Sequence, residues 1–434
     1  MTRKLMCTLL AVSLALMACL PALAQGSDKP YAGVTVTVSL NTPADAVRDK
    51  YDAWVSDLQA KILEETGIVM NVEMVSWGDY LNKHLMSVAS GEGPDIIQMG
   101  SGVPPVIAAT GALVDLTSYM DKFGGLDAYV NAGQHYMTYQ GQIIAIPWGG
   151  GGREVYYNKT IFDAAGLAYP EDSWTYAEFL ADVKALTEFT GKPAFALCGS
   201  GGDTGNYFWS NVITNGGTLI DEGTNEVRFN DETGVQCVRD VLDLYDNGYI
   251  KPSFVESTVD DALVAFINQE AAIGYGNASW WQSIEASPLG KNYGTVMHPV
   301  GSAGLPTGVV TLSEFGVMAY TKNLDATLEV LSYMAGPESI VRSNALLGWV
   351  PFRHDLLEDP AFSINDAYKT FKNVASTSNM LLPQHPKVST MQSTTTAALK
   401  KIYSDYVSGT KLTDEDIKAR LDTLATEIKS AIDQ

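Results

Sequence analysis

The stretch GQIIAIPWGGGGREVYYNK, residues 141–159, decides how the chain is read. Ile143 to Ile146 has the length of a buried strand and Val155 to Tyr157 reads as a second, while Pro147 and four glycines exclude a helix between them. Gly149 to Gly152 can take backbone angles closed to other residues, so the chain can bend there or come close to a bound molecule. The reading is a hinge with Trp148 at its mouth, prone to a turn or a cis peptide at Pro147; a plain loop between strands is the bland alternative. Phosphate binding fits poorly, because a P-loop needs Gly-Lys-Ser/Thr leading into a helix and here Arg153 and Glu154 follow in a strand.

Upstream, Val34, Val36 and Val38 alternate with threonine as a sheet strand does. Tyr51, Trp54, Leu58 and Ile62 mark one helical face that Gly67 closes before a strand over 68–75. A second helix carries Tyr80, Leu81, His84, Leu85 and Val88, and residues 91–94 turn the chain into Asp95-Ile96-Ile97. Strands alternating with helices of this length build a mostly parallel α/β sheet. Ligands sit beyond the carboxyl ends of such strands, which places Asn41, Trp77 and the Met99-Gly100-Ser101 turn at a candidate site.

At the amino end, Arg3 and Lys4 precede an apolar run from Leu5 to Leu20 and then Ala22-Leu23-Ala24, a secretory signal over residues 1–24. Leu16-Met17-Ala18-Cys19 also resembles a lipobox, which leaves periplasmic release or a lipid anchor on the outer face of the membrane both open. Removing 24 of 434 residues leaves enough chain for two or three compact units, and takes the formal charge from -22 to -24. So acidic a surface argues against nucleic acid or anionic lipid as partner. Cys198 and Cys237 stay in the mature chain, either as a disulfide or as two buried thiols.

Glu65-Thr66-Gly67-Ile68, Gly93-Pro94-Asp95-Ile96, Gly111-Ala112-Leu113-Val114-Asp115-Leu116, Tyr157-Asn158-Lys159, Ser173-Trp174-Thr175, Gly216-Gly217 and Gly348-Trp349-Val350-Pro351 follow one another in a recognisable order. In that order and spacing the chain resembles bacterial extracellular solute-binding proteins of the carbohydrate type, over nearly its whole mature length. The resemblance implies a two-lobe, type II periplasmic-binding-protein fold whose lobes are joined by three crossing segments. Those crossings fall in 141–152, 306–313 and 347–353. The lobes would be 25–147 plus 312–348 and 148–311 plus 349–434. It also implies a monomer that captures sugar or oligosaccharide without a cofactor and hands it to an ABC permease pair driven by a cytoplasmic ATPase.

A pyranose presents a CH-rich face and a rim of hydroxyls, so its site needs flat aromatic rings beside hydrogen-bonding groups. Trp77, Trp148, Trp209, Trp280, Trp281 and Trp349 read as loop or strand-end residues, some of which serve packing instead, whereas Trp54 and Trp174 read as structural. Asn277-Ala278-Ser279-Trp280-Trp281 matches the place where maltose-binding proteins carry stacking tryptophans. Asn206-Tyr207-Phe208-Trp209 matches another cleft-facing aromatic segment, with one of Tyr207 and Trp209 facing ligand and the other packing. Asn41, Ser101, Asp203, Glu314 and Arg353 are the polar candidates. The chain departs from maltodextrin binders at Gln392, where they carry Trp, and at Gly102-Val103, where they carry a charged pair.

The sequence contains no zinc-binding His-Glu-x-x-His, no Cys-x-x-Cys and no Gly-x-Ser-x-Gly. A secreted carbohydrate enzyme is the rival class, since a glycosidase carboxylate pair is defined by separation in space. A non-sugar ligand in the same fold, such as a glycerol phosphodiester, a polyamine or a uronate, is the other alternative. Arg153 or Arg353 would serve an anion; Asp203 and Glu314 would serve a polyamine.

Overall fold

The computed structural model describes residues 29–221 and 224–433, so the expected secretory signal lies outside the described residues. One mixed sheet runs through the molecule. Its strands are β1 (Thr35–Asn41), β2 (Val69–Val75), β3 (Ile96–Gly100), β4 (Ile146–Asn158), β5 (Phe195–Ala196), β6 (Ile273–Asn277), β7 (Tyr293–Val296) and β8 (Val310–Val317). Their order is β2-β1-β3-β8-β4-β6-β5, with β7 also paired to β4. The β1–β2, β1–β3 and β6–β5 pairs are parallel, whereas β8 and β4 run antiparallel to their neighbours. The helices that position the site are α1 (Arg48–Thr66), α2 (Tyr80–Ser90), α3 (Asn131–Met137), α4 (Gly202–Thr214), α5 (Trp280–Glu285), α6 (Pro337–Leu347), α7 (Val388–Val407) and α8 (Asp414–Ile432).

The opening strand–helix series forms as the apolar spacing predicts. Tyr51, Trp54, Leu58 and Ile62 are buried on α1, and Gly67 ends the helix at φ 83° with its N–H on the Leu63 carbonyl. The α8 cap forms as read too: the Thr413 hydroxyl accepts from the Asp416 N–H while the Asp416 carboxylate accepts from the Thr413 N–H.

Residues 141–159 depart from the expected bend. All four glycines lie inside the single thirteen-residue strand β4, none has a positive φ, and no peptide bond among the described residues is cis. The glycines serve close approach. A Cβ on Gly150 would sit 2.3 Å from the Thr311 carbonyl oxygen, and one on Gly152 would sit 2.0 Å from that of Val309. The first half of β4 pairs with β8 from Phe315 back to Val310, and its second half pairs with β6 and β7, so β4 carries the chain from one half of the sheet to the other. A third segment joins at the same level, since Gly150 and Val350 exchange two backbone hydrogen bonds of 3.0 and 2.9 Å. Three crossings therefore lie side by side at Gly150.

Each half has its own core. Tyr51, Trp54, Trp148 and Phe315 belong to the amino-terminal cluster, while Phe179, Trp209, Tyr275 and Phe371 belong to the larger one on the other side. Helix α3 sits behind the crossings. Its Tyr136 packs in the larger core, where the hydroxyl donates to the Val310 carbonyl (3.1 Å) and accepts from the Leu382 N–H (2.8 Å). Cys198 and Cys237 are two free buried thiols rather than a disulfide.

Candidate functional site

Where the crossings meet, a cleft of about 220 Å³ opens between the two halves. Gly150, Gly151 and Gly152 form part of its floor, beside Thr311, Leu312 and Ser313 of β8. With no side chains on that part of β4, the backbone itself becomes a binding surface. A Cβ on Gly151 would meet only Ala278 at 3.8 Å and Trp349 at 4.0 Å, so this glycine keeps open space rather than packing space.

Trp77, Gly100 and Ser101 line the cleft from the amino-terminal side, whereas Asn277, Ala278, Ser279, Leu382 and Gln392 line it from the other. Trp77 is exposed and stands edge-on to Tyr80, with ring centroids 5.5 Å apart. Trp349, on the third crossing, is half-buried at the cleft wall and is braced by the edge of Trp148 at 5.6 Å. The Ser101 hydroxyl is already engaged with the second crossing: it accepts from the Leu312 N–H (2.7 Å) and donates to the Leu312 carbonyl (3.2 Å).

Arg153, the first side chain after the glycines, projects into the cleft and is held by Asp203. Burial works against its charge, but the Asp203 carboxylate outweighs that and keeps the guanidinium protonated. Asn206 donates to Asp203 at 3.4 Å and accepts from Gln392 at 3.5 Å. Asp203 and Asn206 thus stand behind the cleft and orient two lining residues, Arg153 and Gln392, that their sequence positions alone did not mark as a pair.

The remaining sequence candidates are placed away from the cleft. Trp148, expected at its mouth, is 1% exposed; it stacks on Trp54 at 5.5 Å and donates its indole N–H to the Ser343 hydroxyl at 2.9 Å. Its side of β4 faces the amino-terminal core. Tyr207 and Trp209 both pack, because α4 is enclosed on nearly every face; Tyr207 is wedged among Phe195, Tyr275 and His298. Trp280 lies flat over the strand beneath it, where a Cβ on Gly276 would come within 2.1 Å of its ring, and it packs on Tyr156. Trp281 is half-buried with its ring 5.5 Å from Tyr368.

Among the polar candidates, Asn41 is buried with its backbone N–H on the Gln98 side chain at 2.7 Å, and Glu314 is fully buried beside a register shift in β8. Burial pushes the Glu314 carboxyl well above the usual carboxylate range, so it stands as a neutral acid. Arg353 is committed to Asp355 (3.0 and 2.9 Å) and to the Phe123 carbonyl at 3.3 Å, with its guanidinium 5.9 Å from the Tyr129 ring. Of the fourteen side chains singled out, Trp77, Ser101, Asn277 and Trp349 line the cleft. The glycine floor, Gly100, Arg153, Ala278, Ser279, Thr311, Leu312, Ser313, Leu382 and Gln392 complete it. Glycine floor and guanidinium were both visible in the hinge sequence, whereas Leu382 arrives from a segment with no local signal.

Residues 57–370 match the family of bacterial extracellular solute-binding proteins. The chain belongs to that family. Among curated relatives, the diacetylchitobiose binding protein DasA of Streptomyces coelicolor is 28% identical over 190 residues, which is 44% of this chain and 42% of that one. A multiple sugar-binding protein of Streptococcus mutans is 26% identical over 205 residues, 44% of this chain and 47% of that one. The matches therefore span less than half the length of these two relatives. Solved structures share the fold over more of the chain. The sugar-binding protein MalE of Xanthomonas citri superposes with a TM-score of 0.80 at 17% identity, covering 92% of this chain and 98% of that one. The GacH receptor of Streptomyces glaucescens gives 0.76 at 21% identity with the same coverage. The fold is accordingly the two-lobe type II arrangement with three crossings.

Proposed function

We propose that this solute-binding protein captures a carbohydrate between its lobes, outside the cytoplasmic membrane, and delivers it to an ABC importer. The observation that carries this is the cleft itself. Two indole rings, Trp77 and Trp349, face one small space with a glycine floor and a rim of Arg153, Asn277, Ser279, Thr311 and Gln392. That is the combination of flat apolar surface and hydrogen-bonding rim that a pyranose requires. The names of the Streptomyces, Streptococcus and Xanthomonas proteins support the same class.

On this reading the lobes are 25–147 plus 312–348 and 148–311 plus 349–434, except that α3 of the first span packs on the core of the second lobe, and closure occurs about the three crossings at Gly150. Ligand favours the closed form only through contacts with both lobes, so its extra affinity for that form sets the population shift. The mature chain works as a monomer, released or lipid-anchored, with a permease pair and a cytoplasmic ATPase as partners, and it binds without chemistry. Thermal unfolding against a sugar panel tests this. A ligand at 100 times its Kd adds about 2.7 kcal/mol, a visible rise in Tm; the sugar must be recovered unchanged. A consumed sugar would make the protein an enzyme.

A further inference from the structure

We infer that the cleft is sealed at Gly102 and Val388 and so selects mono- and disaccharides over longer chains, an inference that rests on the carbohydrate reading above. Gly102 follows the lining residue Ser101, and Val388 stands one helical turn before the lining residue Gln392. These two positions meet across the gap between the halves: a Cβ on Gly102 would lie 2.8 Å from Val388 Cγ1. Gly102 also has φ +86°, a conformation that leaves glycine as the unstrained choice. Backbone and methyl group are therefore packed directly together, with no side chain and no ligand-sized gap between them.

Both sides of the seal are anchored. The loop before Gly102 is tied to the second crossing by the two Ser101–Leu312 hydrogen bonds of 2.7 and 3.2 Å. The segment leading into α7 is tied to α3, where the Leu382 N–H donates to the Tyr136 hydroxyl at 2.8 Å and the Leu382 carbonyl lies 2.8 Å from His135 Nε2. A sugar ring extending in this direction must break such contacts or hold the lobes apart.

The space left inside agrees in size. At about 220 Å³ the cleft lies below the roughly 300–1,000 Å³ typical of drug-sized ligands. So small a space favours a short ligand over a long one.

Titration calorimetry on the mature protein tests this with glucose and N-acetylglucosamine, with maltose, cellobiose and diacetylchitobiose, and with the tri- and tetrasaccharides of each series. The expected result is a best mono- or disaccharide that binds roughly tenfold or more tightly than its own trisaccharide. Val388→Ala removes the sealing methyl groups and should narrow that gap by about threefold or more. A trisaccharide that binds wild-type protein as tightly as the shorter sugars, or a folded Val388→Ala protein with the gap unchanged, overturns the seal. The wild-type series decides alone if that variant does not fold. Absence of binding by any sugar of any length would instead overturn the carbohydrate reading, and is distinguishable from binding that ignores length.

Discussion

Trp349 and Trp280 both follow glycines closely in the chain, yet of the two only Trp349 lines the cleft. The difference lies in what each ring can cover. Trp280 finds a flat strand face made by Gly274 and Gly276 and closes over it, whereas Trp349 stands nearly perpendicular to Trp148 and lines the opening. Trp349→Ala should therefore weaken sugar binding by about 1 to 3 kcal/mol with little change in unfolding midpoint. Trp280→Ala should do the reverse, costing about 3 to 5 kcal/mol of stability. Calorimetry and urea unfolding of the two variants separate these roles, and the opposite pattern would exchange them. The spacing Gly-Tyr-Gly-Asn-Ala-Ser-Trp holds the clue to burial, because glycines on one strand face invite a ring to lie there; the resemblance to maltose-binding proteins, which carry stacking tryptophans at this place, points to ligand instead. Glu314 makes a second prediction. Its carboxyl is held neutral by burial, so its pKa in the folded chain lies above the unfolded value of about 4.3. Folding then takes up a proton above that pH, and the contribution to stability falls as pH rises toward the folded pKa. Glu314→Gln, a neutral isostere, should lose less stability than wild type between about pH 5 and pH 8 in urea unfolding. Parallel pH curves for the two proteins would show that Glu314 is ionised in place.

Strand β4 explains why so much of the fold and so little of the site was legible. The opening helices and strands follow local periodicity, and α1 and α2 form on the faces that Trp54 and His84 mark. Sequence also placed the glycine run at a crossing. It could not say that the glycines lie extended, because the reason for them is a neighbour, β8, more than 150 residues away in the chain. Close approach and flexibility leave the same letters in a sequence. The four glycines are not equivalent, and this gives a test at the level of the element. Gly150→Ala drives a methyl group into the Thr311 carbonyl and Leu312 and should cost stability on the scale of overpacking, about 1 to 3 kcal/mol or more. Gly151→Ala points at the space between Ala278 and Trp349, so it should fold like wild type and lose affinity. Equal stability of the two variants in denaturant unfolding would contradict the pairing of β4 with β8.

Across the whole molecule, the two largest cores share one sheet, and the cleft exists because three crossings bring Gly150, Leu312 and Val350 side by side. The family and the two-lobe architecture could be read from motifs spread along the chain, since each motif marks a turn or strand end that the fold needs. Which side chains face the cleft depends on rotation of each element about its own axis. Leu382 reaches it from the proline-containing segment before α7, which carries no local signal, whereas Gln392 on α7 is marked only as the position where maltodextrin binders carry Trp. On the carbohydrate reading, these halves close on a short sugar. Titration calorimetry of wild-type and Trp349→Ala protein against the mono- and disaccharide panel tests it most directly. Saturable one-to-one binding of at least one such sugar, weakened in the variant and with the sugar recovered intact, is the predicted result. No saturable heat with any sugar, or identical binding by both proteins, would contradict it.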